Sequence, residues 1–373
     1  MFKLRGFNKF VFVLNILSAI FLFGSYASMN ISPEKFYPLA FLGLFYPAIL
    51  IVNILFVIYW IFLFRIYFLI SFLCIAFGVS IDNSLVQIKP WREKVSDKKI
   101  ANDSLLKFVS YNVRLFDLYN WSKNKNTRDS ILSFVKNMNS DIISFQEFYA
   151  DEKEKFIDVE SLKKTFETPY CHTYYTVTLR NTDHWGMATF SKYPIVNIGA
   201  INFLTSSNNA CMFSDVKIGK DTIRVYNIHF QSIHFKKEDY AFIDSLKSEN
   251  EKPKQNVKNS RRILSRLKKA FIKRAVQVDT VASHISQSPY PVVVSGDFND
   301  SPVSYTYNKI SKNLDDAFMK SGFGLGQTYN GKFPSLRIDY ILHSKEFGSY
   351  NFTTHHKNYS DHFALSCYFK MRK

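Results

Sequence analysis

The sequence predicts an α/β protein: sheets packed together with helices outside, preceded by an apolar membrane segment. Three observations carry this. Short apolar runs, several rich in β-branched residues, recur from Leu105 to the C-terminus and are bounded by polar turns. Two stretches between them, Arg128–Asn139 and Arg274–Ser286, repeat apolar residues at helical spacing. Before about residue 82 the chain is almost continuously apolar and holds much of the excess of its 37 phenylalanines.

The N-terminal elements come first. Phe10 to Met29 carries no charge, and its length matches the roughly 20 residues that cross a bilayer as a helix. A second run, Tyr37 to Ile81, has Arg65 as its only charge and suits two crossings joined by a hairpin near that arginine. The reading is three transmembrane helices, 10–29, 38–63 and 66–81. A secretory signal peptide would share the basic start Lys3, Arg5 and Lys9, but the run is long and more apolar sequence follows, which favours a retained anchor. Lys3, Arg5 and Lys9 put the N-terminus in the cytoplasm with Arg65 on the same side. Three crossings then leave the large domain outside (periplasmic or extracytoplasmic), making this a multi-pass integral membrane protein. Lys89, Arg92, Lys94, Lys98 and Lys99 pull the other way, and an interfacial third run would leave the domain cytoplasmic.

Residues 82–104 are polar, with Pro90 against any helix, and read as a linker. The domain from Leu105 to Lys373 follows. Its expected elements are a strand at Leu106–Tyr111, the helix Arg128–Asn139 with Ile131, Leu132, Val135 and Met138 on one face, and a strand at Asp141–Phe145. Strands follow at Gly186–Ser191, Cys211–Ile218 and Thr222–Phe230. After the helix Arg274–Ser286 come strands at Pro291–Ser295, Arg337–His343 and Ala364–Lys370. From His234 to Phe271 the chain is charged, with Lys247, Lys252, Lys254, Lys258, Arg261, Arg262, Arg266, Lys268 and Lys269. It is either a basic arm that meets phosphates or acidic headgroups or a solvated helix pair turning near Pro253.

The formal net charge of +17 argues for anionic partners without choosing among nucleic acid, acidic lipid and phosphorylated substrates. The four cysteines, Cys74, Cys171, Cys211 and Cys367, have neither metal-ligand spacing nor the pattern of a disulfide framework.

Polar residues at the ends of the apolar runs carry the chemistry. Glu147, after Ile142–Phe145, is the principal candidate ligand for a hard divalent cation, with the Asn112 carbonyl after Phe108–Tyr111 beside it. Gly296-Asp297-Phe298-Asn299 puts a carboxylate and an amide two apart after an apolar strand, so both point the same way. Asp297 could orient or deprotonate water, and the Asn299 amide could hold a phosphate. Asp361 supplies a further ligand and His362 an acid–base or phosphate-binding imidazole. Asp339, flanked by apolar residues, needs a partner if buried, and His362 is the one expected, because a carboxylate fixes an imidazole's tautomer. His229, at the end of a β-branched run, could donate to a phosphate oxygen.

This set, in this order, resembles the endonuclease/exonuclease/phosphatase superfamily with its DNase I-like fold. The motifs are Ser110-Tyr111-Asn112-Val113, Gln146-Glu147, Gly186–Ser191, Asn227-Ile228-His229, Gly296–Asn299, Arg337–Tyr340 and Ser360-Asp361-His362. The resemblance covers residues 105–373 and implies a four-layer α/β/β/α sandwich. It implies Glu147, Asn112 and Asp361 as ligands of Mg2+ (or Mn2+), Asp297 on the water, Asn299 and His229 on the phosphate, and Asp339 behind His362. Arg114 stands where apurinic-site endonucleases of this superfamily carry an Asp, and His229 where they carry a Tyr, which argues against that branch. The expected function is a membrane-tethered, metal-dependent phosphodiesterase acting on nucleic acid. The alternatives are a lipid-directed phosphodiesterase or phosphoinositide phosphatase (sphingomyelinase-like), whose phosphate ester is a phospholipid headgroup of the bilayer, and an inactive membrane-attached binding module.

Overall fold

The computed structural model describes residues 6–88, 95, 105–153, 155–203, 209–233, 235–245, 253–331 and 337–372. Lys3, Arg5, the charges Lys89, Arg92, Lys94, Lys98 and Lys99, and Lys247 and Lys252 lie outside them.

The N-terminal segment forms helices α1 (Phe7–Ser28), α2 (Pro33–Phe36), α3 (Pro38–Leu44), α4 (Tyr46–Phe62), α5 (Phe68–Phe77) and α6 (Val79–Leu85). Among the described residues only α1 is by itself long and apolar enough to cross a membrane. The second and third expected spans are broken: α3 and α4 meet at 68°, α5 and α6 at 66°. Pro47 at the start of α4 has no N–H to continue a ladder from α3, and Gly78 sits where a Cβ would lie 2.2 Å from the Tyr26 hydroxyl.

The side chains of this bundle are sorted inside out. Phe10, Leu55 and Leu73 are 60%, 57% and 62% exposed, while Asn15, Ser18, Asn53 and Ser71 are buried. Asn53 Nδ2 donates to Ser18 Oγ at 2.8 Å, Ser71 Oγ to Asn53 Oδ1 at 2.8 Å, and Trp60 Nε1 to Asn15 Oδ1 at 3.0 Å.

The linker expected from residue 82 begins later. The Tyr46 hydroxyl donates to Asp82 at 2.5 Å, so the charge that ends the apolar run does not end the helix, and α6 continues to Leu85. Strand β1 (Val86–Gln87) then pairs antiparallel with Gly324–Leu325. Residues 89–94 and 96–104 of that linker lie outside the described residues.

The large domain continues with β2 (Leu106–Asn112), α7 (Thr127–Asn137), β3 (Ile142–Asp151), α8 (Val159–Phe166), β4 (Tyr170–Leu179), β5 (Asp183–Ser191), β6 (Ile195–Ile201), β7 (Ala210–Ile218) and β8 (Asp221–His229). After α9 (Lys237–Ser245) and α10 (Pro253–Ser286) come β9 (Val292–Asp297), α11 (Tyr305–Ser311), β10 (Asp315–Asp316), α12 (Ala317–Ser321), β11 (Gly324–Leu325), β12 (Asp339–His343), β13 (Phe347–His355) and β14 (Ala364–Met371). Two six-stranded sheets result, ordered β13-β14-β2-β3-β5-β4 and β10-β12-β9-β8-β7-β6.

Phe108, Ile142, Leu365 and Phe369 of one sheet pack against Val225, Val293 and Ile341 of the other. Ile131, Val135, Leu162 and Phe166 cover the outer face of the first sheet, and Val278, Val281, Tyr307 and Ile310 that of the second. This is the α/β/β/α sandwich expected. The basic stretch is the helix pair α9 and α10, and α10 starts at Pro253, where the missing N–H costs nothing. It extends well ahead of Arg274 because Leu267, Ala270, Phe271 and Arg274 are buried at helical spacing, a period that the intervening lysines and arginines obscure. Strands β4, β6 and β13 were not legible in the sequence; all three are sheet edges with few fully buried positions.

Each sheet has one parallel pair at its centre. Asn112 of β2 pairs with Gln146 of β3, and His229 of β8 with Asp297 of β9. Antiparallel neighbours start at the same rim: Asp339 opens β12 opposite Asp297, and His362 precedes β14 beside β2. Residues far apart in sequence therefore converge on one edge of the sandwich.

Candidate active site

At that rim Asn112 Nδ2 donates to Asp297 Oδ2 at 3.1 Å and Glu147 Oε1 at 3.3 Å. Glu147 does not follow its strand, as the sequence suggested, but lies inside it. It sits where the β3–β5 register slips between Phe145 and Phe148, with φ +46°. A bulge re-aims one side chain, and this one turns Glu147 into the cleft, where it is 34% exposed. Its carboxyl is raised above the ordinary range, first by burial and next by the charge of Asp361, against the lowering effect of His362, Asn112 and Arg114.

Asp297 is buried and accepts from the Asn299 backbone N–H at 2.8 Å. Burial pushes its carboxyl up to about 7, against the lowering effect of His362 and with a further push from Asp339. His362 Nδ1 meets Asp339 Oδ2 at 2.9 Å and Oδ1 at 3.1 Å, the expected pair. Its Nε2 lies 3.7 Å from Asp297 Oδ2. Burial disfavours the imidazolium, but Asp339 and Asp297 outweigh it and hold His362 well above its ordinary value. His229 Nε2 lies 3.7 Å from both Glu147 Oε1 and Asp297 Oδ2. Asn299 has φ +54°, and its Nδ2 donates to the Phe230 carbonyl at 3.0 Å.

Asp361 Oδ2 lies 3.4 Å from Arg114 Nε, and Ser360 Oγ, beside it, donates to the Asn112 carbonyl at 2.9 Å. Arg114 opens a left-handed turn in which Arg114, Leu115, Phe116 and Asp117 have φ between 46° and 61°. Such a run of non-glycine residues costs about 1–2 kcal/mol each, and strain of this kind collects at functional sites.

Two groups of candidate ligands share the rim. Asp297, Asp339 and His362 each offer an atom within 4.8 Å of the others. In that trio His362 Nδ1 is already engaged by Asp339 and its Nε2 faces Asp297, which suits proton handling better than ligation. Glu147 and Asp361, 34% and 27% exposed, are the carboxylates open to the cleft. With the Asn112 amide they form an all-oxygen donor set suited to a hard divalent cation. As placed, Asn112 turns its Nδ2 to the carboxylates; as a ligand it would present Oδ1.

Sequence reasoning quoted Gln146 and Asn227 without a role. They bridge the two sheets: Gln146 Nε2 donates to Asn227 Oδ1 at 2.7 Å, and Asn227 Nδ2 to the Phe145 and Ala188 carbonyls at 3.0 Å each. The signal was present as a polar residue inside each of two apolar strands. Arg337, part of a quoted motif, lies outside the strand expected at 337–343. Its guanidinium pairs with Asp316 at 2.6 Å and donates to the Ser84 carbonyl of α6 at 2.9 Å. Buried Arg274, in the wall of the cleft, donates to Asp300 at 3.1 Å and to the Gln231 carbonyl at 2.7 Å.

A two-sheet α/β sandwich with acids, amides and imidazoles gathered at one rim defines a class of phosphoester-handling proteins. The match to known families places the chain within it. Residues 109–362 match the model of the endonuclease/exonuclease/phosphatase family, and the chain belongs to that family, whose members are typically phosphoester hydrolases. Residues 8–85 match a domain of unknown function, DUF8431.

No curated protein matches the chain. Among solved structures, an endonuclease/exonuclease/phosphatase from Beutenbergia cavernae is similar at 13% identity and TM-score 0.51, over 72% of each chain. A functionally unknown conserved protein from Enterococcus faecalis is similar at 14% identity and TM-score 0.50, over 72% of this chain and 100% of its own. Both likenesses are of fold.

Proposed function

We propose that this protein is a membrane-anchored, divalent-metal-dependent phosphodiesterase. The observation that carries the reading is the contiguous rim Glu147–Asn112–Asp297–His362–Asp339, each member within 3.7 Å of the next, of which Glu147, Asp297 and His362 line one cleft. Glu147 and Asp361, joined by Asn112, would hold Mg2+, or Mn2+ in its place; the ion would polarise the phosphoryl oxygen and offset charge on the leaving oxygen. Asp297, with its carboxyl near 7, suits a general base at neutral pH. It takes a proton from water as the water oxygen bonds to phosphorus. His362, kept as imidazolium by Asp339, donates to a non-bridging phosphate oxygen, and His229 and Asn299 hold the phosphate beside it. The phosphorus–oxygen ester bond breaks, and the departing alkoxide is protonated from solvent.

The inside-out sorting of α1–α6 supports a multi-pass anchor of three spans: α1, bent α3–α4 and bent α5–α6. In a bilayer apolar side chains face lipid, and polar ones hydrogen-bond between helices. The large domain touches the ends of α1 and α6, whereas Arg65 lies at the opposite end, between α4 and α5. With Lys9 and Arg65 cytoplasmic, the domain of residues 105–373 is extracytoplasmic.

The test is hydrolysis of bis(p-nitrophenyl) phosphate by the full chain in detergent. Turnover should need Mg2+, stop with chelator and fall at least about a hundredfold in Glu147→Gln. Chelator-insensitive turnover, or a folded Glu147→Gln variant as active as wild type, would falsify the reading.

A further inference from the structure

The N-terminal segment does more than tether. Leu44, the last residue of α3, lines the same cleft as Glu147, Asp297 and His362. Leu44 belongs to the apolar part of its lining, with Ile233, Phe235, Leu267 and Phe271, beside polar Ser232, Ser301 and Arg274. The segment is seated there by close contacts. The Phe41 and Phe271 rings meet edge to face at 5.3 Å, and the Lys268 ammonium lies 4.1 Å above the Tyr37 ring. Ser28 Oγ donates to the Val303 carbonyl at 3.3 Å, and Asn308 Nδ2 to the Met29 carbonyl at 2.9 Å. Gly43 lies so close that a Cβ there would be 2.2 Å from the Val303 carbonyl. Val303 follows Asn299 by four residues, so the segment also buttresses the loop leaving the site.

On the other side of Asp361 most of the lining residues are polar or charged, Asp117 among them. A second cleft shares Asp361, Tyr240 and Tyr329 with the first and adds Arg114, Lys237 and Asn330. The acids thus stand between an apolar wall contributed partly by a lipid-facing helix bundle and a polar, partly cationic recess. Among the described residues α10 contributes one basic side chain to these clefts, Arg274. Arg262 and Arg266 pair with buried Asp239 at 2.7 and 3.0 Å, and Arg274 is buried against Asp300.

Resting on the phosphodiesterase reading, we propose that the substrate is a membrane phospholipid. Its apolar part lies along the wall that Leu44, Leu267 and Phe271 build, and its phosphodiester meets Asp297 and His362. The N-terminal segment is then part of the binding site, and the lipid reading displaces the nucleic-acid reading that the basic stretch suggested.

The experiment compares the full chain with Leu44→Gln and Gly43→Val on three substrates. These are bis(p-nitrophenyl) phosphate, vesicles of phosphatidylglycerol, phosphatidylethanolamine and phosphatidylcholine, and supercoiled plasmid. Wild type should hydrolyse phospholipid. Both variants should lower kcat/KM for lipid about tenfold more than for the soluble diester, the scale set by losing apolar contact in a pocket. Hydrolysis of the soluble diester with no phospholipid turned over, plasmid nicked in preference to lipid, or equal losses on lipid and diester would each overturn the proposal. No turnover of any substrate by folded wild type would instead remove the phosphodiesterase reading beneath it.

Discussion

Asp339→Asn should cut turnover by about two to three orders of magnitude while leaving substrate affinity near that of wild type. The substitution keeps the side chain's shape, removes its charge and turns one acceptor oxygen into an NH2 donor. His362 and Asp339 are 5% and 3% exposed, so little solvent screens them, and Nδ1 to Oδ2 is 2.9 Å. Two unit charges about 4 Å apart at an effective dielectric constant near 20 attract by about 4 kcal/mol. In a rate that is about a thousandfold. Asp297 stays 3.7 Å from the other ring nitrogen and still favours the imidazolium, so the full factor is an upper bound. The assay is steady-state hydrolysis of bis(p-nitrophenyl) phosphate by the full chain with saturating Mg2+, with thermal unfolding in the same detergent to establish that the variant is folded. A loss confined to kcat fits a residue that orients and charges His362. A folded variant keeping more than about a third of wild-type kcat would refute the reasoning, because less than about 1 kcal/mol would then pass through this contact.

Other outcomes follow from the framework around the site. Asn227→Ala removes the acceptor of Gln146 and the donor to two buried carbonyls; denaturant unfolding should show a loss of about 3 kcal/mol, from about 1 kcal/mol per hydrogen bond, and a loss below about 1 kcal/mol would mean that the bridge is dispensable. Arg337→Met strands Asp316 in the interior and cuts the bond to Ser84; a loss of about 3–5 kcal/mol is expected, with limited proteolysis between residues 89 and 104 reporting whether the segment has come loose.

The pH dependence of stability should carry the mark of His172, buried with Nδ1 2.9 Å from Ser214 Oγ. Burial lowers it to about 4, so the unfolded chain binds its proton first as pH falls. Its share of stability is intact above about pH 6.5 and is lost progressively down to about pH 4, by up to about 3 kcal/mol. His172→Gln should flatten the stability curve in that window, and an unchanged slope would show that the imidazole does not control it.

The centres of both sheets were legible because β2, β3, β8 and β9 are buried on both faces and are built around short, largely apolar runs. The edges were not, since β4, β6 and β13 mix exposed and buried positions and leave no clear period. The candidate site was legible as a set because strand ends bring isolated polar residues to one rim, so Asp339 beside His362 could be expected before any coordinates. Glu147 could be named but not its bulge, as nothing in Phe145-Gln146-Glu147-Phe148 marks a register slip between neighbouring strands. The role of Leu44 was out of reach altogether. Leu44 is one leucine in a long apolar run, and only the docking of α3 near Val303 distinguishes it from its neighbours.

The position of β14 has a consequence for biosynthesis. It is the last of the described strands in sequence, yet pairs with β2 inside its sheet, between β2 and β13. Until it emerges from the ribosome β2 has only β3 beside it, and His362 has no strand to hold it against Asp339. On the membrane-anchored reading proposed above, a nascent chain already threaded into the bilayer would therefore stay inert until β14 has been made. A chain stopped at Phe363 should insert normally and show no hydrolysis, and detectable turnover by it would contradict this timing.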